Sequence, residues 1–119
     1  MELLRGSKEE FLMLLNKHLS DNKTTDRSKR RPYFEFSYDG KDYKVSVQAS
    51  EYHYCTPRLD NMEYYEEVEL GFPDFLFSES FIARYAEDVD TPKDTVYPYV
   101  PLEVLAEELE LLVKVESND

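Results

Sequence analysis

Residues 32–50 read PYFEFSYDGKDYKVSVQAS, and this stretch organises the rest of the chain. Asp39-Gly40 separates two alternating runs, and Asp-Gly is a preferred pair for a two-residue type I′ turn, in which both central residues need positive φ. With those two residues at the tip, Tyr38 faces Lys41, Phe36 faces Tyr43, Glu35 faces Lys44 and Phe34 faces Val45. The aromatic and β-branched pairs then fall on one face and the opposite charges on the other, the cross-strand arrangement that stabilises a sheet. An isolated hairpin is marginal in water, so the face formed by Phe34, Phe36, Tyr43, Val45 and Val47 requires a covering layer.

The chain has 119 residues, 41% of them hydrophobic, which is consistent with one domain spanning 1–119 and a single modest core. No apolar run approaches the ~20 residues of a membrane span, and the start MELLRG lacks the features of a secretory signal, so the expected location is cytoplasmic. Cys55 is the only cysteine, which excludes an intramolecular disulfide and fits a reducing compartment. The net charge is −12 and it is unevenly spread. Residues 1–50 carry ten Lys/Arg against eight Asp/Glu, whereas residues 51–119 carry four against eighteen. Such a field disfavours nucleic acid and anionic membrane as partners of the second half and favours basic ones.

Ser7-Lys8-Glu9-Glu10 has the capping-box pattern and predicts a helix with Phe11, Leu12, Leu15, His18 and Leu19 on one stripe, ending near Ser20-Asp21-Asn22. Residues 20–31, SDNKTTDRSKRR, lack large apolar side chains and predict a basic loop. The second hairpin strand is expected to run on toward Cys55 and to stop at Thr56-Pro57, since proline cannot donate to a ladder. A third strand, antiparallel to the second, is expected from Tyr64 to Phe72, with Tyr64, Val68, Leu70 and Phe72 on one side and Tyr65, Glu67 and Glu69 on the other. Ser78 or Ser80 can cap a short helix through Phe81, Ile82, Tyr85 and Ala86. Pro101 suits the first position of a last helix, on which Leu102, Leu105, Leu109 and Leu112 share a face widened by Val104, Ala106, Leu111 and Val113. The predicted class is therefore α+β: a three-stranded antiparallel meander packed against N-terminal and C-terminal helices, plus one short helix.

Motifs for chemistry are sparse. With only Gly6, Gly40 and Gly71 in the chain, neither a P-loop nor a dinucleotide fingerprint can form. His53 and Cys55 on one side of a strand would stand about 7 Å apart, too far for a nucleophile-base hydrogen bond. His18, His53 and Cys55 are too few for structural zinc, and the Asp88, Asp90, Asp94 spacing departs from a calcium loop at Lys93 and Tyr99. The expectation is a protein that is not an enzyme and needs no cofactor or metal.

Carboxylate spacing is the more distinctive signal. Glu103, Glu107 and Glu110 fall at i, i+4 and i+7, roughly 6 Å apart along the last helix. Glu67 and Glu69 repeat at about 7 Å on the polar side of the third strand. Such intervals resemble the roughly 7 Å spacing of phosphates along one nucleic-acid strand, whose axial rise is ~3.4 Å. Tyr52, Tyr54 and Tyr65, opposite the inferred core face, would add contact area. Glu67, Glu69, Tyr65, Glu103, Glu107 and Glu110 are thus the candidate partner-binding residues, directed at the basic surface of a protein. In composition the chain is similar to small inhibitors of phages and mobile elements that imitate DNA, such as anti-CRISPR or anti-restriction proteins, though no motif carries the likeness. Two other readings stand beside it: an interaction module of a larger assembly, and a weak nucleic-acid binder through Lys29, Arg30 and Arg31.

Overall fold

The computed structural model describes residues 6–21, 33–49, 53–57, 59 and 64–117. Seven elements follow one another: α1 (Lys8–Asp21), β1 (Phe34–Tyr38), β2 (Lys41–Gln48), β3 (Glu67–Gly71), α2 (Glu79–Tyr85), β4 (Val96–Pro101) and α3 (Leu102–Ser117). The strands form one antiparallel sheet in the order β1-β2-β3-β4.

The hairpin has the expected register, with Phe34 opposite Val45, Glu35 opposite Lys44, Phe36 opposite Tyr43 and Tyr38 opposite Lys41. Asp39 and Gly40 both have positive φ, 50° and 79°, as a type I′ turn requires. Phe34, Phe36, Tyr43, Val45 and Val47 are buried. They are covered by α1 and α3, which pack against each other and complete the core with Phe11, Leu15, Leu102, Leu105, Ala106, Leu109 and Val113. The α3 stripe is narrower than the sequence pattern implies, since Leu112 is half-buried and Leu111 faces solvent.

Phe36 is the junction of the core. Its ring stacks on Tyr43 at 5.0 Å and meets Phe11 edge-on at 5.2 Å and Phe75 at 6.3 Å. From Phe75 the contacts continue through Phe77 to Phe81 and Tyr97, so one aromatic chain joins the hairpin, α1, α2 and β4. Tyr97 is fully buried; its hydroxyl donates to the Pro92 carbonyl at 2.6 Å, and burial pushes its pKa up to about 12.

Helix starts are well satisfied. The Ser7 Oγ accepts from the Glu10 N–H at 3.2 Å, and Glu10 reaches back to the N–H of Gly6 at 2.8 Å, one residue earlier than the capping box places it. Gly6 has φ 79°, and a Cβ there would come within 2.7 Å of the Val113 side chain, so glycine is what lets α1 begin against the end of α3. Ser78 caps α2 by accepting from the Phe81 N–H at 3.3 Å.

The structure departs from the sequence pattern along three strands. A fourth strand, Val96–Pro101, takes up residues assigned to no element and the expected helix start at Pro101, and α3 begins one residue beyond Pro101. Two prolines argue against a central strand, but β4 is at the sheet edge, where a missing N–H costs no ladder bond. Its register jumps from Val68↔Val100 to Leu70↔Tyr97, so Pro98 and Tyr99 together oppose Glu69 in a bulge, with Tyr99 at φ 52°. The second strand stops at Gln48, and Thr56 makes an isolated bridge to Glu67 beside Pro57; residues 50–52 lie outside the described residues. The third strand is shorter than the alternation suggested, Glu67–Gly71. Outside it the period-2 rule fails, leaving Tyr65 buried at 3% exposure, Tyr64 exposed at 51%, and Phe72 turned out by a φ of 50°.

Two measurements check this core. Phe36→Ala should cost about 3–5 kcal/mol in chemical denaturation, the range for emptying a large aromatic site. His18 offers a pH test: its ring packs edge-on against Phe34 at 5.5 Å, its Nε2–H donates to the Val47 carbonyl at 3.2 Å, and burial lowers its pKa. The unfolded chain therefore takes up this proton at higher pH than the folded one, so the contribution is full above about pH 6.5 and is lost as pH falls below it. His18→Gln should flatten the stability profile just below that pH.

Candidate protein-binding surface

The six candidate residues divide between two sides of the molecule. Glu67 and Glu69 alternate with buried Val68 and Leu70 and so belong to the sheet face opposite the helices. Glu103, Glu107 and Glu110 ride on α3, which covers the core face. The two carboxylate rows therefore cannot line one and the same groove.

On α3 the row is partly engaged. Glu110 accepts the backbone N–H of Lys8, the first residue of α1, at 2.8 Å, and stands 3.5 Å from the Lys114 ammonium. Glu107 pairs with the Lys8 ammonium at 2.9 Å and holds it charged above the ordinary lysine range. Glu108, outside the candidate set, accepts the Ser78 hydroxyl at 2.6 Å and its N–H at 3.4 Å. Two carboxylates of one helix thus sit at the N-terminal ends of two others, where unsatisfied N–H groups and the helix dipole favour negative charge. Glu103 and Glu107 are the exposed members of the row, and Glu103 adds its charge to the field around Lys8.

The strand carboxylates hold a strap. Glu67 Oε1 accepts the Thr56 hydroxyl at 2.5 Å, and Glu69 accepts the Tyr54 N–H at 2.9 Å. The Tyr54 carbonyl then accepts the Tyr99 N–H at 3.0 Å, so residues 54–56 connect β3 to the bulge of β4. The Tyr54 and Tyr99 rings lie 5.8 Å apart and are both exposed. Tyr65 is not a surface residue: it is buried, and its hydroxyl donates to the Leu59 carbonyl at 2.6 Å. Tyr52 lies outside the described residues, as do Lys29, Arg30 and Arg31.

A different acidic site is formed at the hairpin. An open groove of about 740 Å³ runs along β1 and the turn, with Glu10, Glu35, Asp39, Asp42 and Asp74 in its lining and Lys44 as its cation. Met13 and Leu14 of α1 provide its apolar wall, Met13 at 61% exposure. The Lys44 ammonium is drawn toward the Tyr33 ring, 5.2 Å from its centroid. Sequence spacing does not reveal this group because its members come from α1, the hairpin and the β3–α2 connection; only residues 35–42 are close enough along the chain to show as a cluster.

Among the described residues no group of three or more His, Cys, Asp or Glu is placed to hold a metal ion, and no helix is long and apolar enough to cross a membrane. Cys55 is buried, its Sγ 3.4 Å from the Pro57 carbonyl. Compared with known proteins, the chain matches no family model, no curated protein and no solved structure.

The division between engaged and exposed carboxylates can be measured. Glu110→Ala should destabilise by about 1 kcal/mol, the usual cost of losing a helix N-terminal acceptor, whereas Glu103→Ala should stay within about 0.5 kcal/mol of the parent.

Proposed function

We propose that this chain is a protein-binding protein whose acidic surface docks on a basic site of a partner, and that it acts by occupying that site rather than by catalysis. The observation that carries this reading is the hairpin groove, which five carboxylates and one lysine line together with the exposed Met13. Charge brings such partners together and sets register, while buried apolar contact slows their separation. A nucleic-acid-binding protein is the partner that the charge favours most, since its groove is already built for negative charge. A single cysteine is consistent with work in a reducing cytoplasm.

The two rows read from the sequence contribute unequally. Glu103 and Glu107 remain accessible beside α1, whereas Glu67 and Glu69 are half-buried beneath the strap. Imitation of a nucleic-acid strand would therefore use one face only, and the hairpin side offers the larger acidic group.

The test compares proteins captured from a host lysate by the parent and by the Glu35→Lys/Asp42→Lys variant, at low and high salt. The captured partner should be lost in high salt and with the variant, while Glu67→Lys/Glu69→Lys should lose binding only to the extent that it loses stability. Added duplex DNA should release the partner if its nucleic-acid site is the one occupied. Capture indifferent to salt and to charge reversal would show that the acidity serves solubility alone.

A further inference from the structure

We propose that the outer edge of β1 is a docking edge, on which an extended peptide alternating Lys or Arg with apolar residues adds as a fifth strand. This rests on the acidic-docking reading above and specifies the form of the partner.

The backbone geometry comes first. Lys44 directs its N–H to Asp74 Oδ1 at 2.9 Å and its carbonyl to the Asp74 N–H at 3.0 Å, away from β1. Glu35 is opposite Lys44 and Ser37 opposite Asp42, so in an antiparallel ladder the N–H and C=O of Glu35 and Ser37 point to the other side, out of the sheet. No described residue pairs with that edge. The opposite edge differs: the Val96 carbonyl on β4 accepts the Glu87 N–H at 3.0 Å, and the β4 bulge and its prolines interrupt the rest. Of the two edges, β1 is therefore the one that offers an uninterrupted run of donors and acceptors, at Glu35 and Ser37.

Side chains then choose the occupant. A strand added here alternates its residues between two environments. On the open sheet face it meets Glu35, with Asp42 and Lys44 on the neighbouring strand, two carboxylates to one ammonium that is drawn toward the Tyr33 ring; on the core side it meets the groove wall of Met13 and Leu14 with Glu10 at its rim. Basic residues suit the first and apolar residues the second. Five residues of β1 give a length that a short linear motif can cover, and main-chain bonds would supply affinity while the alternating side chains supply specificity. A second copy of β1 is a poor occupant, because it would bring another Glu35 and another acidic groove to a chain already at −12.

The probe is a synthetic peptide of alternating lysine and valine about seven residues long, tested against the full chain by titration and by amide hydrogen exchange. Slowed exchange at the Glu35 and Ser37 amides, with the β2 ladder unchanged, supports strand addition. A peptide N-methylated on alternate amides keeps its charge and loses its donors, and it should bind about tenfold or more weakly. Ser37→Pro removes an outward N–H while keeping the backbone ladder to β2; Ser37→Ala, which loses only the hydrogen bond from the Ser37 hydroxyl to Asp42, is its reference, and the proline variant should bind about tenfold more weakly than the alanine variant at a similar melting temperature. Equal affinity for parent and N-methylated peptides, with salt sensitivity retained, would overturn strand addition and leave acidic docking standing. Backbone-dependent binding indifferent to salt would overturn the acidic-docking reading instead. Protection of the same amides that grows with protein concentration in the absence of peptide would show self-pairing and overturn the basic occupant.

Discussion

The type I′ turn at Asp39-Gly40 is the constraint on which the other elements depend. Because side chains alternate strictly along a strand, a slip of one residue would place Glu35 and Lys44 in the core and Phe36 and Tyr43 in water. The turn prevents this by fixing Tyr38 opposite Lys41, and every pairing back to Phe34↔Val45 follows. Phe36 then points at α1, and Phe75 and Phe77 extend the aromatic contacts to the rest of the core. A second effect appears on the far side of β2. With Lys44 turned away from β1, its N–H and C=O select Asp74, which steers the chain leaving β3 toward Phe75.

What can be read from the sequence is local. Asp-Gly between alternating runs, Ser7 with Glu10, and Ser78 ahead of Phe81 are each decided by neighbours within a few residues, and the structure has a turn or cap at all three. What cannot be read depends on sequence-distant partners. Val96–Pro101 gives no strand signal because Pro98 and Pro101 interrupt it, and only its position at the sheet edge makes them tolerable. Tyr65 looks like a surface residue when alternation is extended past Glu67, but there the chain is no longer a strand and the Tyr65 hydroxyl finds the Leu59 carbonyl.

The same distinction separates the carboxylates. The spacing of Glu103, Glu107 and Glu110 correctly puts them on one side of a helix, but spacing does not show what that side faces. Here it faces the start of α1, where Glu110 meets an orphan N–H and Glu107 meets Lys8. Glu67 and Glu69 likewise direct their hydrogen-bonding capacity to Thr56 and Tyr54. An acidic row in a sequence therefore combines two populations: carboxylates that complete other elements and carboxylates that remain directed at solvent.

Accepting a hydrogen bond from a neutral N–H or hydroxyl does not remove charge, so these internal uses leave the negative field largely in place. The ion pairs Lys8–Glu107, Lys17–Asp21 and Lys114–Glu110 all lie at the surface. Pairs of this kind are screened and contribute little to folding. A net charge of −12 opposes compaction through self-repulsion, and stability is drawn instead from the aromatic core. Beside β1 the hairpin groove gathers five carboxylates, and β1 is also the strand whose outer backbone groups have no described partner. Under the strand-addition proposal, charge there would guard the edge against a second acidic chain and the same charge would admit a basic strand, so that a single arrangement would serve both protection from self-association and selectivity for the partner.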